Sequence, residues 1–414
     1  MGKRSVLILG ILTVFLGRGW GQAPLLYEHT YPTVTAEDTR VRSLMNQVSA
    51  DSLEADIAHL TSYFTRAWNS EVVYEAQDWL YRQYLGMGFD TVFLHDFKVP
   101  RGDSLYETSD NVIAVQRGTL YPDEYVVCGA HYDSYNNEMN NNTLANPDSL
   151  RAPGADDNAS GVAGILETAR LLSGHRFERS IIYANWGAEE VGLHGSYNFA
   201  HDCAEQRLDI VGYFNLDMIG YLYEGIPMQV LLLYTGRDSL LANYTYSLSN
   251  TYYPDMPIQH GWLHAGADSD YSSFNRNGYS AVQPFEHTYF CSPYIHTTSD
   301  VLGVSVNSME QVKRFTELNL GLVATLAGLS DASLEDAEVS GLTVYPNPSS
   351  GLITVKGLPM KEVSVYNCMG QCLCTETGHG SAIQLDVSSL ATGVYVLRVV
   401  DEAMSVHPRR IVIY

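Results

Sequence analysis

The chain has 414 residues and a formal net charge of -23, from 24 Lys and Arg against 47 Asp and Glu. A surface this acidic repels nucleic-acid phosphates and argues against that class of partner. At 45% hydrophobic content, the length allows a large core and two or three domains.

Residues 1–21 read as a secretory signal peptide. Lys3 and Arg4 form the charged start, and Val6 to Leu16 gives an apolar stretch of about 11 residues. Gly19 and Gly21 are small enough for a signal peptidase, which places cleavage just before Gln22. No other run is long and apolar enough to cross a bilayer, so the product is expected to be exported without a stable membrane span.

From Asp38 to Leu85 the pattern is helical. Asp51 followed by Glu54 resembles a capping box. A second helix over Glu71 to Leu85 buries Val72, Val73, Ala76, Trp79 and Leu80 and stops at Gly86 and Gly88. Strand-like segments follow at Thr91–Val99 and Asn111–Gln116. Three short apolar runs, Tyr125–Ala130, Ile181–Ala188 and Val211–Leu216, then alternate with helical stretches. That alternation predicts an α/β domain over 22–329 with an open, mostly parallel sheet flanked by helices. Its last helix runs from Ser308 to Leu326.

Residues 330–340 are small, acidic and aperiodic, and read as a linker. Beyond it, over 341–414, short alternating strands predict a small all-β sandwich: Leu342–Tyr345, Leu352–Val355, Val363–Tyr366, Ile383–Val387, Val394–Val400 and Arg410–Tyr414. Cys368, Cys372 and Cys374 lie close together, but no histidine follows at zinc-site spacing.

The three apolar runs end in acid and imidazole: His131-Tyr132-Asp133, Glu189-Glu190 and Asp217. Open α/β sheets place their sites at the carboxyl ends of strands. His131 offers an imidazole ligand, and Asp133 could receive its other ring N–H. Asp156 and Asp157 precede the helix Val162–Leu172; capping needs only one of them, and a carboxylate has two oxygens with which to bridge two cations. Of the pair Glu189-Glu190, one can ligate while the other takes a proton from water. His296 is a further candidate, with His287 its competitor. His131, Asp156, Glu190, Asp217 and His296 give two imidazoles and three carboxylates, a mixed N/O set that favours zinc. With Asp156 shared, each of two zinc ions has three protein ligands and an open place, as in hydrolytic two-metal sites.

Five motifs carry a resemblance. Gly129-Ala130-His131-Tyr132-Asp133-Ser134, Gly154-Ala155-Asp156-Asp157-Asn158-Ala159-Ser160-Gly161, Gly187-Ala188-Glu189-Glu190-Val191-Gly192-Leu193-His194-Gly195-Ser196, Asn215-Leu216-Asp217-Met218 and Ile295-His296-Thr297-Thr298-Ser299-Asp300 resemble the secreted di-zinc leucyl-aminopeptidase family, over about residues 110 to 330. The resemblance implies a zinc exopeptidase fold of the phosphorylase/hydrolase-like kind. It implies one zinc on His131 and Asp217, the other on Glu190 and His296, and Asp156 between them. Glu189 becomes the general base, Asp133 supports His131, and a cis peptide joins Asp156 to Asp157. The chain departs from the pattern at Trp262-Leu263-His264-Ala265-Gly266-Ala267, where relatives often carry a cysteine pair and a tyrosine. It departs again at Tyr271, where relatives commonly show His.

The C-terminal segments Val344–Gly351, Val363–Gln371 and Leu390–Val399 resemble the sorting domain of the type IX secretion route. That implies export through periplasm and outer membrane to the exterior or the cell surface, with the secretion machinery as partner. The expected activity is removal of N-terminal residues from peptides with a free N-terminus. The competing readings are a glutaminyl-cyclase-like single-zinc enzyme and a catalytically inactive binding module on the same fold; intact Glu189 and both ligand sets argue for hydrolysis.

Overall fold

The computed structural model describes residues 24–101, 106–138, 147–262, 269–287, 289–330, 342–347, 349–367, 372–391, 393–402 and 406–413. The expected signal peptide with its cleavage point, residues 331–340 of the expected linker, Cys368 and the stretch Leu263–Ala267 lie outside the described residues.

Three helices come first: α1 (Thr39–Met45), α2 (Ala50–Ser62) and α3 (Val72–Met87). The cap of α2 is Ser49, whose hydroxyl accepts the N–H of Ser52, rather than Asp51, which sits inside the first turn. Helix α3 ends where expected, at Gly88 with φ 78, a left-handed value that suits glycine.

An eight-stranded sheet follows. Its strands are β1 (Thr91–Pro100), β2 (Tyr106–Gln116), β3 (Tyr121–His131), β4 (Arg179–Trp186), β5 (Asp209–Asn215), β6 (Val230–Tyr234), β7 (Ile258–Trp262) and β8 (Ala281–Phe285), in the order β1-β2-β4-β3-β5-β8-β6-β7. The centre, β4-β3-β5-β8, is parallel, while β1, β2 and the β8/β6 junction pair antiparallel. The remaining helices are α4 (Gly161–Leu172), α5 (His194–Glu205), α6 (Ser239–Tyr252), α7 (Tyr271–Arg276) and α8 (Met309–Ala327).

Alternation along the central strands builds two cores. Val126, Cys128 and Ala130 of β3, with Ile181 and Tyr183 of β4 and Phe214 of β5, face one apolar cluster with α1–α4, α6 and α8. Val127, Ile182, Ala184, Trp186, Ile210 and Tyr213 face the other, with Phe199 of α5 and Phe274 of α7. Both faces are covered, which is why these strands read as unbroken apolar runs. Burying each such Val, Leu or Ile contributes about 1.5–3 kcal/mol.

The C-terminal strands β9 (Thr343–Tyr345), β10 (Leu352–Tyr366), β11 (Cys372–Asp386), β12 (Gly393–Asp401) and β13 (Val406–Ile413) form an antiparallel sheet. The long β10 changes register between Lys356 and Glu362, pairing β9 before the irregularity and β12 after it. Such an irregularity bends a strand. Ile353 and Val355 from one half and Val363 and Val365 from the other meet in one apolar cluster with Leu397, Val399 and Ile411. Among the described residues, no helix is long and apolar enough to cross a membrane.

Candidate metal and catalytic site

The parallel register sets the site. Pairing of His131 with Trp186, and of Gly129 with Asn215, brings the carboxyl ends of β3, β4 and β5 side by side. His131 ends β3, the Glu189-Glu190 pair follows β4, and Asp217 follows β5. Ala188, Met218 and His296 have φ of 54, 56 and 56 without being glycine. Such left-handed residues cluster where a functional side chain must be aimed.

Two groups of possible metal donors stand out among the described residues: His131, Asp157 and Asp217, and Asp157, Glu190 and His296. Asp157 belongs to both. Its Oδ1 lies 3.2 Å from His131 Nε2 and its Oδ2 lies 2.9 Å from His296 Nε2. Glu190 Oε2 also lies 2.9 Å from His296 Nε2, and Asp217 Oδ1 lies 3.5 Å from His131 Nε2.

The shared carboxylate is therefore Asp157 and not Asp156, a correction to the sequence reading. Asp156 Oδ1 accepts the N–H of Gly220 at 2.8 Å, and its carboxylate belongs to neither group. Asp300 holds the turn by accepting the N–H groups of Asp156 and Asp157 at 2.8 and 3.3 Å. Asp157 then adopts non-helical φ -111 and ψ 86, so the two neighbouring side chains diverge. The cis peptide also lies one residue later than implied, at Asp157–Asn158. Gly154 opens this turn at φ +56, and a Cβ there would meet Asp157 O at 2.6 Å.

Arg66 braces the same turn. Its guanidinium is fully buried and donates to the carbonyls of Tyr132, Leu60, Pro153 and Gly154. Burial pushes its pKa down to about 10, against Asp300, Asp133 and Asp157, which favour the charge. Sequence reading missed it, because an arginine just beyond a helix normally faces water.

Asp133 takes a different partner from the one expected. The nearest acceptor to His131 Nδ1 is the main-chain oxygen of Asp133, at 3.2 Å, with the carboxylate at 3.7 Å. That carboxylate instead accepts the N–H groups of Glu189 and Glu190, at 3.0 and 3.3 Å. His287 is not part of the cluster; its Nδ1 accepts the N–H groups of Tyr289 and Phe290 in its own turn.

The electrostatics fit cations. Burial works to raise the Asp157 pKa, yet the two imidazoles outweigh it and hold the carboxylate below its usual range. Burial alone would depress His296, but Glu190 and Asp157 hold it up to about 12. His131 is likewise held well above its usual value, against burial, by Glu189, Asp133, Asp157 and Asp217. Surplus carboxylate charge thus draws positive charge to each triad, a need that a divalent cation meets with neutral imidazoles. Asp217 Oδ1, the oxygen that faces His131, is buried without a hydrogen-bond partner, as an atom reserved for a metal would be. Glu189 belongs to neither triad, and burial lifts its pKa well above the usual carboxylate value.

Comparison with known proteins agrees. Residues 111–320 match the model of peptidase family M28, and residues 343–414 match the secretion system C-terminal sorting domain. Leucine aminopeptidase 1 of Coccidioides posadasii is 30% identical over 302 residues, covering 69% of this chain and 74% of that protein. The crystal structure of LapA from Legionella pneumophila superposes with a TM-score of 0.59 at 25% identity, covering 73% of this chain and 79% of that one. A glutaminyl cyclase from Bacteroides thetaiotaomicron shares the fold at 18% identity, with a TM-score of 0.54 over 67% of this chain and 98% of that one.

Fold, acid-and-imidazole site and relatives together define a zinc-dependent aminopeptidase. The chain belongs to peptidase family M28.

Proposed function

We propose that the protein is a secreted aminopeptidase working with two zinc ions, one held by His131, Asp157 and Asp217 and the other by Asp157, Glu190 and His296. The observation that carries this reading is the Asp157 carboxylate, whose two oxygens face different histidines at 3.2 and 2.9 Å. Three protein ligands per ion leave room for water and substrate. When bound, the ions supply Lewis acidity, easing deprotonation of a water and polarising the scissile carbonyl.

The protein's own groups handle the proton. Glu189, free of both triads, accepts it from the attacking water as the water oxygen adds to the carbonyl carbon. As the C–N bond breaks, the Glu189 carboxyl returns that proton to the leaving nitrogen. A carboxylate whose burial favours its protonated form suits this shuttle, because it holds the proton between the two steps. Asp133 keeps Glu189 and Glu190 in register through their main-chain N–H groups.

Export rests on the sorting-domain match at 343–414, which supports delivery by a secretion system to the exterior or the cell surface. The domain division proposed is 22–329 for the catalyst and 341–414 for the sorting unit, after a signal peptide over 1–21 and with a linker over 330–340. Peptides with a free N-terminus are the substrates. A release assay over a panel of aminoacyl-fluorophores, with and without chelator, alongside zinc analysis tests the function. Chelator-sensitive release with about two zincs per chain is expected; one zinc with cyclisation of N-terminal Gln would favour the cyclase, and no turnover the binding module.

A further inference from the structure

A line of buried polar groups runs from the second core to the site. Trp186 Nε1 donates to the Tyr213 hydroxyl at 2.7 Å, and that hydroxyl donates to Asn215 Oδ1 at 2.7 Å. Asn215 Nδ2 donates to Ser269 Oγ at 2.7 Å, and Ser269 donates to Asp217 Oδ2 at 2.6 Å. Every member is buried.

The direction of these bonds is fixed from both ends. An indole N–H can only donate, so the Tyr213 oxygen accepts and its single proton must go on to the Asn215 oxygen. At the far end an ionised Asp217 can only accept, so Ser269 donates and its oxygen takes a proton from Asn215. Both arguments demand the same amide orientation. Gln283 adds a third constraint, accepting from Asn215 Nδ2 at 3.1 Å while its own Nε2 donates to the main-chain oxygen of Asp217. Occupying Asp217 Oδ2 in this way leaves Oδ1, the unpartnered oxygen, facing His131.

We infer that Tyr213 is a positioning residue for the metal held by His131, Asp157 and Asp217, acting through Asn215 and Ser269 to fix which oxygen of Asp217 faces the ion. The inference rests on the two-metal reading. Without the Tyr213 hydroxyl, the Asn215 oxygen loses its donor, and only the contacts to Ser269 and Gln283 are left to set which way round the amide sits. Its carbonyl oxygen can then compete with Asp217 for the Ser269 proton, and Asp217 loses its fixed orientation. Hydrogen bonds of this kind to a ligating group are worth about 10–100-fold in metal affinity. The second triad shares no member of the relay.

Zinc titration against a competing chelator tests this. Tyr213→Phe keeps the ring that stacks on Phe274 at 4.0 Å and removes only the hydroxyl. It should weaken one of the two zinc sites about tenfold, and the loss should persist in a His296→Ala background, which isolates the His131 site. Ser269→Ala should give a similar loss, and the double variant little more, because both cut one line. Tyr183→Phe is the control: Tyr183 is fully buried on β4, and its hydroxyl donates to Gln116, away from the site. Zinc curves that coincide for Tyr213→Phe and Tyr183→Phe would overturn the inference, as would losses from Tyr213→Phe and Ser269→Ala that add in full. An unaltered protein taking up fewer than two zincs would instead sink the two-metal reading, and the relay would be judged on the remaining His131 site.

Discussion

The main-chain N–H of Glu189 donates to Asp133 Oδ1 at 3.0 Å, tying the acid pair after β4 to the end of β3. The Glu189 backbone is thus anchored by a carboxylate outside both triads, while its side chain stays out of them. Glu189→Gln should therefore lower turnover by roughly the 10²–10⁴-fold typical of a general base, and leave zinc content unchanged. Zinc analysis beside the rate assay checks this; loss of metal would mean that Glu189, and not Glu190, is the ligand.

Asp157 and Asp156 should behave very differently although they are neighbours. Asp157→Asn removes a charge facing both histidines and should lower zinc content and activity together. Burial first, and then Glu286 and Asp300, hold Asp156 well above the usual carboxylate pKa, and its Oδ1 is taken by the N–H of Gly220. Asp156→Asn should keep two zincs per chain. In the same series, His296→Ala should lose a zinc and His287→Ala should not. Equal metal content across all four variants would refute the placement.

A pH-dependent stability term sits on α2. Burial, helped by Glu167 and opposed by Arg170, raises Asp56 to about 6, above the usual carboxylate range. The folded state therefore binds this proton more tightly than the unfolded chain. Stability from it is complete below pH 4 and is lost as pH rises to about 6. Asp56→Asn should raise the melting temperature at pH 7, by an amount equivalent to about 1–2 kcal/mol for a side chain still touching water. The gain should vanish near pH 4, and thermal melts at both values decide it.

The C-terminal sheet should be separable from catalysis. All residues of both triads precede Asp300, and the last strand-covering helix, α8, ends at Ala327. A protein ending at Leu329 should fold, bind zinc and cleave aminoacyl substrates at close to the full-length rate. In its native host the same truncation should stop export. A truncated protein that folds but is inactive, or that still reaches the exterior, would contradict this division.

The sequence by itself determined the α/β alternation, the helix ends at Gly88 and Ser308, and the strand ends that bear His131, Glu189, Glu190 and Asp217. These features are local: apolar runs, caps and glycines act within a few residues, and a parallel sheet collects its strand ends at one edge. The choice between Asp156 and Asp157 was not local. It depends on Asp300, which is 144 residues away from Asp156 and holds the turn by its amides, and on Gly220, which captures the Asp156 carboxylate. The bracing role of Arg66 was hidden for the same reason, since its acceptors include carbonyls 66, 87 and 88 residues away. So was the relay from Trp186 to Asp217, whose members come from β4, β5 and the turn before α7. Only the tertiary structure decided these, because hydrogen-bond direction and the aim of a buried carboxylate depend on partners that the chain brings together only by folding.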